Sequence, residues 1–204
     1  MAPNLCLGTV QFGLSYGITN TAGQVAEPEV RRILALAAEQ GIELLDTAQA
    51  YGSAESVLGH CSPPTMRRRL ISKLPSQSEP GDWEQSFQAS LNRLQADYLD
   101  GFLLHRSADL LGPQADRLLD WLESLRERGL VQRLGVSIYD ASELEGLPLD
   151  RLQLVQLPLS LYDQRLLLDG TVAQLNSAGI AIHARSLLLQ LSLIHISEPT
   201  RPER

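Results

Sequence analysis

The sequence predicts an α/β fold in which strands alternate with helices and pair in parallel. Three observations carry this. Short apolar runs recur along the chain, and segments of helical periodicity separate them. Within each run the apolar residues are nearly continuous, as in strands buried on both faces. A polar helix end, a glycine and an apolar strand are joined in the same way three times, in EQGIELLD, ERGLVQRLGVS and SAGIAIHA. Seven strand candidates in one domain leave two architectures open, a doubly wound sheet or a (β/α)8 barrel. The G-x-G-x-x-G dinucleotide fingerprint does not follow the first strand, which lowers the first option.

CLGTVQF is the first strand candidate. EPEVRRILALAAEQ then reads as a helix, with Pro28 in its first turn and Val30, Ile33, Leu34 and Ala37 on one face. IELLDT and LISKL are the next strands. DWEQSFQASLNRL follows with Asp82 as a cap and Phe87, Leu91 and Leu94 turned inward. After the strand DGFLLH, PQADRLLDWLESLRER carries Leu118, Trp121, Leu122 and Leu125 at helical spacing, a core-facing stripe. RLGVSIY, LQLVQLP and IAIHARS complete the strands. Glycine at the three repeated junctions ends each helix cheaply because it accepts positive φ.

Of the 204 residues, 44% are apolar, enough for one sizeable core. A net charge of -7 argues against a nucleic-acid surface and against an anionic membrane as partner. No run approaches the roughly 20 apolar residues of a membrane span. MAPNLCLGTV has no basic segment ahead of an apolar one, so no secretory signal is expected. Cys6 and Cys61 fit reduced thiols, and the cytoplasm is the expected compartment. Neither lies in a zinc-ligand spacing. His60 and His183 read as incidental, and no metal is expected.

Of seventeen lysines and arginines only Lys73 is lysine, and it sits inside the apolar run LISKL. A site that needs a compact ammonium rather than a planar fork explains such a choice. Asp46, Lys73, His105, Ser137, Gln156 and Ser186 fall at or near the C-terminal ends of successive strands. The first four are spaced by 27, 32 and 32 residues, about one strand–helix unit each. In a barrel these ends ring one mouth, where active sites lie. Asp, Tyr, Lys and His there suit carbonyl reduction by hydride, since the carbonyl oxygen needs a proton donor and fixed dipoles. Tyr51 is the candidate donor, and a nearby Lys73 ammonium is expected to lower its pKa. Asp46 holds the ammonium, and His105 offers a second hydrogen bond. Each residue also has a plainer reading: a stabilising Asp–Lys pair, a packed tyrosine with a wet hydroxyl, a histidine capping the next segment.

Several segments together carry a family resemblance. LGTVQFGLSYG, DTAQAYG, LISKL, FLLHRS and LGVSIYD resemble successive strand ends of the aldo-keto reductases, and the likeness runs from Leu5 to Gln190. It implies a (β/α)8 barrel that reduces an aldehyde or ketone with NADPH, NADH being the other option. It also implies a catalytic tetrad of Asp46, Tyr51, Lys73 and His105. For the cofactor it implies Gly8 as a contact, Thr9 and Asp46 near the nicotinamide ribose, Ser137 and Gln156 near the carboxamide, and Ser186 and Leu187 over the pyrophosphate. Many members have asparagine after the serine of the fifth strand, where Ile138 stands here. The partner expected is a small carbonyl substrate; nothing in these residues names an oligomeric state. The alternative is a regulatory subunit of the same fold that binds the cofactor without turnover, or a truncated product without function.

Residues 1–190 are therefore expected to form a truncated barrel, with the eighth strand missing. The stretch LSLIHISEPTRPER, from 191, changes character. LSLIHISEPTR reads as the in-frame translation of a transposase adapter used in sequencing libraries, so 191–204 is expected to be an artefactual tail.

Overall fold

The computed structural model describes residues 5–17, 20–76 and 83–188. Asp82, expected as a cap, and the expected tail 191–204 lie outside the described residues. Seven strands, β1 (Cys6–Gly8), β2 (Leu44–Asp46), β3 (Arg69–Leu74), β4 (Gly101–Leu104), β5 (Leu134–Ser137), β6 (Leu154–Pro158) and β7 (Ala181–Arg185), form one sheet. Every neighbouring pair is parallel, and the spatial order is the chain order. That order removes the doubly wound alternative, in which the sequence of strands reverses at a switch point.

The sheet curls. Gln156 of β6 donates from Nε2 to Asp46 Oδ1 of β2 at 2.9 Å. Four strand spacings in a flat sheet would hold those strands about 19 Å apart. The seven strands are thus most of a (β/α)8 barrel, with β1 and β7 each paired on one side only among the described residues. Its interior is a small apolar cluster of Leu44, Ile71, Leu103 and Leu154, of which Leu103 and Leu154 both stand opposite Gly135 in the strand register. Gly135 is what lets that layer close. A Cβ there would stand 2.0 Å from the Leu154 carbonyl oxygen and 2.6 Å from Leu103 Cδ2.

The larger core lies between the sheet and the helices. These are α1 (Val10–Gly13), α2 (Glu27–Glu39), α3 (Ala54–Cys61), α4 (Trp83–Leu94), α5 (Ala115–Glu127), α6 (Arg165–Leu168) and α7 (Thr171–Ser177). Their apolar faces are those the helical periodicity predicts: Val30 and Leu34 of α2, Phe87 and Leu94 of α4, and Leu122 and Leu125 of α5 are buried. Phe87 meets Phe102 of β4 edge-on at 5.1 Å between ring centroids. The three repeated junctions behave alike. Gly41, Gly129 and Gly179, each following the cap of α2, α5 or α7, have φ of 71, 72 and 73°.

CLGTVQF does not stay extended. The Thr9 N–H still joins Asp46 O, but Val10 to Gly13 then turn into α1, which packs on α3. Phe12 is buried in that turn. Gly13 sits so close that a Cβ would lie 1.8 Å from the Tyr51 carbonyl oxygen. The loop carrying Tyr51 is thereby clamped from one side.

From the other side it is anchored by Glu55 of α3, which is 1% exposed. Its carboxylate accepts from Ser72 Oγ of β3 at 2.6 Å and Arg93 Nε of α4 at 2.8 Å, and also from Ser90 Oγ. One carboxylate therefore ties two helices to the strand that bears Lys73. No helix among the described residues is long and apolar enough to cross a membrane.

Candidate active site

Strand alternation sets which side chains face the mouth of the barrel. Asp46 ends β2, Lys73 is the next-to-last residue of β3, His105 directly follows β4, Ser137 ends β5, and Gln156 lies in β6. The structure brings Gly8, Thr9, Asp46, Tyr51, His105, Ser137, Gln156 and Ser186 to the wall of one cavity of about 330 Å³. Lys73 lies behind it, 1% exposed. Leu187 is half exposed and lies outside the lining, so it is not brought together with the rest.

A lysine so deeply placed keeps its charge only if paired. Lys73 Nζ lies 2.8 Å from both oxygens of Asp46 and 2.9 Å from Thr47 O, with Tyr51 Oη at 3.5 Å. The same ammonium stands 5.0 Å from the centroid of the Tyr51 ring. His105 meets that ring edge-on, at 6.0 Å and 82°. Asp46 is fixed in turn by the Gln156 amide. Thr9 is fully buried, and its hydroxyl donates to the Asp46 carbonyl at 2.9 Å. Its role in the geometry is thus to hold the end of β2.

The Tyr51 pKa moves opposite to the sequence expectation. Burial pushes it above the ordinary value of 10.0, and Lys73, which pulls it down, does not outweigh that effect. His105 moves down from 6.5, through burial first and then the Lys73 charge. At neutral pH the cavity therefore presents a phenol and an uncharged imidazole.

Four residues of the wall, Val10, Tyr16, Tyr139 and Arg185, were not singled out from the sequence. Arg185, the last residue of β7, lines the cavity, with its guanidinium carbon 3.9 Å from the centroid of the Tyr139 ring. The alternation Ala181, His183, Arg185 along an inward-facing strand is the signal that could have found it. Ile138 is buried, and its carbonyl accepts from Arg185 Nη2 at 3.1 Å.

His183, read as incidental, is drawn into the barrel, where its buried Nδ1 has no partner among the described residues. His60 and Cys61 gain a third donor atom from Glu27, whose Oε1 lies 2.9 Å from His60 Nε2. Arg31 stands 3.7 Å from the same carboxylate, so a cation already faces it. Glu27 and His60 read as a tie between α2 and α3.

A solved aldo-keto reductase of Pseudomonas aeruginosa superposes with a TM-score of 0.74 at 24% identity, covering 90% of this chain and 73% of that one. An aldo/keto reductase of Klebsiella pneumoniae, solved with NADP and acetate, gives 0.70 at 24%, covering 93% and 65%. Both likenesses speak to the fold. Among curated relatives, an aldo-keto reductase of Mycolicibacterium vanbaalenii is 31% identical over 131 residues, 61% of this chain and 46% of that protein. The methylglyoxal reductase YeaE of Escherichia coli is 33% identical over 131 residues, 61% and 45% respectively. The matched stretch spans about half the length of these relatives. The profile of the Aldo/keto reductase family extends further, over residues 4–195, and by that match the chain belongs to the Aldo/keto reductase family.

Proposed function

We propose that the chain reduces an aldehyde or ketone to the alcohol, with NADPH as hydride source and Tyr51 as proton donor. The observation that carries this reading is the buried Lys73 ammonium, held by both Asp46 oxygens and placed 3.5 Å from the Tyr51 hydroxyl. Lys73 has three N–H donors for four acceptors, and the contact to Tyr51 is the longest. That contact gains strength only if the phenol gives up its proton.

The wall suits a nicotinamide nucleotide. A Cβ at Gly8 would meet nothing within 4 Å, so the end of β1 leaves open room in the cavity. Ser137 and Gln156 present polar ends beside it. The Klebsiella pneumoniae relative solved with NADP supports the same cofactor here. When bound, it supplies the hydride. Tyr51 then transfers its proton to the carbonyl oxygen: the phenol O–H breaks, the alcohol O–H forms, and the phenolate is left facing Lys73. Neutral His105 donates a hydrogen bond to the same oxygen and sets its direction. Gly8, Thr9, Asp46, Ser137, Gln156 and Ser186 of the wall, with Leu187 just outside it, are proposed as cofactor contacts. The methylglyoxal reductase relative supports a small carbonyl substrate. The free thiols of Cys6 and Cys61 support a reducing compartment, the cytoplasm.

The test is Tyr51→Phe with 4-nitrobenzaldehyde and NADPH. Loss of a proton donor is expected to cut turnover by about 10²- to 10⁴-fold while NADPH still binds. Undiminished reduction would remove Tyr51 from its role. NADPH binding by a wild-type chain that turns over no aldehyde would favour the regulatory-subunit reading.

A further inference from the structure

We propose that Arg185 is an anion anchor in the wall of the cavity, and that the carbonyl substrate carries a carboxylate or a comparable single anionic group. This rests on the carbonyl-reductase reading and extends it to a substrate class.

The formal charges at the site do not cancel. Asp46 and Lys73 neutralise each other at 2.8 Å, and His105 is uncharged at neutral pH. Arg185 is left as one surplus positive charge, in a chain whose net charge is -7. No carboxylate stands within ion-pair distance of it among the described residues. By contrast Arg165, the first residue of α6, spends its charge on Asp163 and Asp140.

The guanidinium is also pre-positioned. One face lies over the Tyr139 ring at 3.9 Å, and Nη2 donates to Ile138 O at 3.1 Å. Stacking and a backbone bond restrain the plane, and Nε and Nη1 have no partner among the described residues. Nε and Nη1 lie on opposite edges of the fork, so one of them together with the remaining Nη2 N–H matches the two oxygens of a carboxylate. Lysine would lack that geometry. A restrained fork loses less entropy on binding than a free side chain.

The anchor belongs to the place where a carbonyl would react. Arg185 lines the same cavity as Tyr51 and His105, and its charge acts on both, pulling each pKa down as a secondary influence. An anionic substrate held there would have its carbonyl directed toward Tyr51. A cofactor phosphate is the competing source of an anion, and the two make different predictions.

Wild type, Arg185→Met and Arg185→Lys would be compared on 4-carboxybenzaldehyde and 4-nitrobenzaldehyde. Turnover with NADPH gives kcat/KM, saturation-transfer NMR gives aldehyde binding without turnover, and fluorescence titration gives the NADPH Kd. For Arg185→Met, the ratio of kcat/KM for the carboxylate over the neutral aldehyde is expected to fall about 10- to 100-fold. Arg185→Lys should recover only part of that ratio, and added salt should weaken the carboxylate more than the neutral compound. An unchanged ratio overturns the anchor. An unchanged ratio with a weaker NADPH Kd assigns Arg185 to the cofactor instead, which also overturns it. If the wild type binds the carboxylate through Arg185 yet reduces neither aldehyde, the anchor stands and carbonyl reduction falls. If both aldehydes are reduced without an Arg185-dependent difference, the reverse holds.

Discussion

Tyr51 is pulled two ways. Burial holds its proton on, and the Lys73 ammonium at 3.5 Å favours releasing it. Burial is the larger effect, so the phenol stays protonated through neutral pH and loses its proton only as pH rises past a value above 10.0. In the proposed reaction, reduction needs the protonated form, and its alkaline limit should lie in that range. Lys73→Met removes the downward pull: the alkaline limit of kcat/KM should shift to still higher pH, and the rate should drop because the phenolate loses its partner. A limit that moves down or stays put would show that Tyr51 is not the group titrating. His105, lowered from 6.5, charges only on the acid side. Asp46, Lys73 and His105 were legible as neighbours at the barrel mouth because each ends, nearly ends or follows an apolar run at a spacing of about one strand–helix unit, and Tyr51 because it follows Asp46 by five residues. Arg185 and Tyr139 were not. Their pairing needs the ends of β7 and β5 to face each other, and no local pattern records that. The sign of the Tyr51 shift was hidden for a related reason, since the depth of burial is a property of the assembled wall.

Among the elements, α3 has the most consequential attachment. Glu55 is its only link to Ser72 of β3 and to Ser90 and Arg93 of α4 by hydrogen bonds among the described residues. Removing a buried carboxylate that pairs with an arginine leaves that charge and two hydroxyls without partners. Glu55→Ala should therefore lower unfolding free energy by about 3–5 kcal/mol, read as a fall in the urea midpoint. A change under about 1 kcal/mol would mean the carboxylate is not integral to the tie. The helix faces and the three helix-ending glycines were readable because periodicity and positive φ are local properties. CLGTVQF misled because its apolar residues satisfy both the strand and the helix period over so short a run. Beyond Gly8 the chain turns into α1, whose Gly13 permits a close approach to the Tyr51 carbonyl that no sequence spacing announces.

At the scale of the molecule, chain-ordered parallel strands fill their own interior. Leu44, Ile71, Leu103 and Leu154 leave no spare volume beside Gly135. Gly135→Ala should destabilise the protein by at least about 1–3 kcal/mol, because the contact it forces is with backbone rather than with a movable side chain. Calorimetry would register this as a lower Tm, and an unchanged Tm would mean the inner layer is looser than these distances indicate. Alternation of strands and helices made the parallel sheet legible. The choice between a doubly wound sheet and a barrel turned on the resemblance, since strand order is not written in any one segment.

The hydrogen bond from Gln156 to Asp46 joins residues separated by 110 positions. A ribosome adding about 5–20 residues per second makes Gln156 some 6–22 s after Asp46. Through that interval Lys73 is available to Asp46, but the amide that completes its fixation is not. Contacts of such long separation are also slow to form in a refolding chain. Asp46 and Lys73 can therefore meet early, while their final orientation waits for β6.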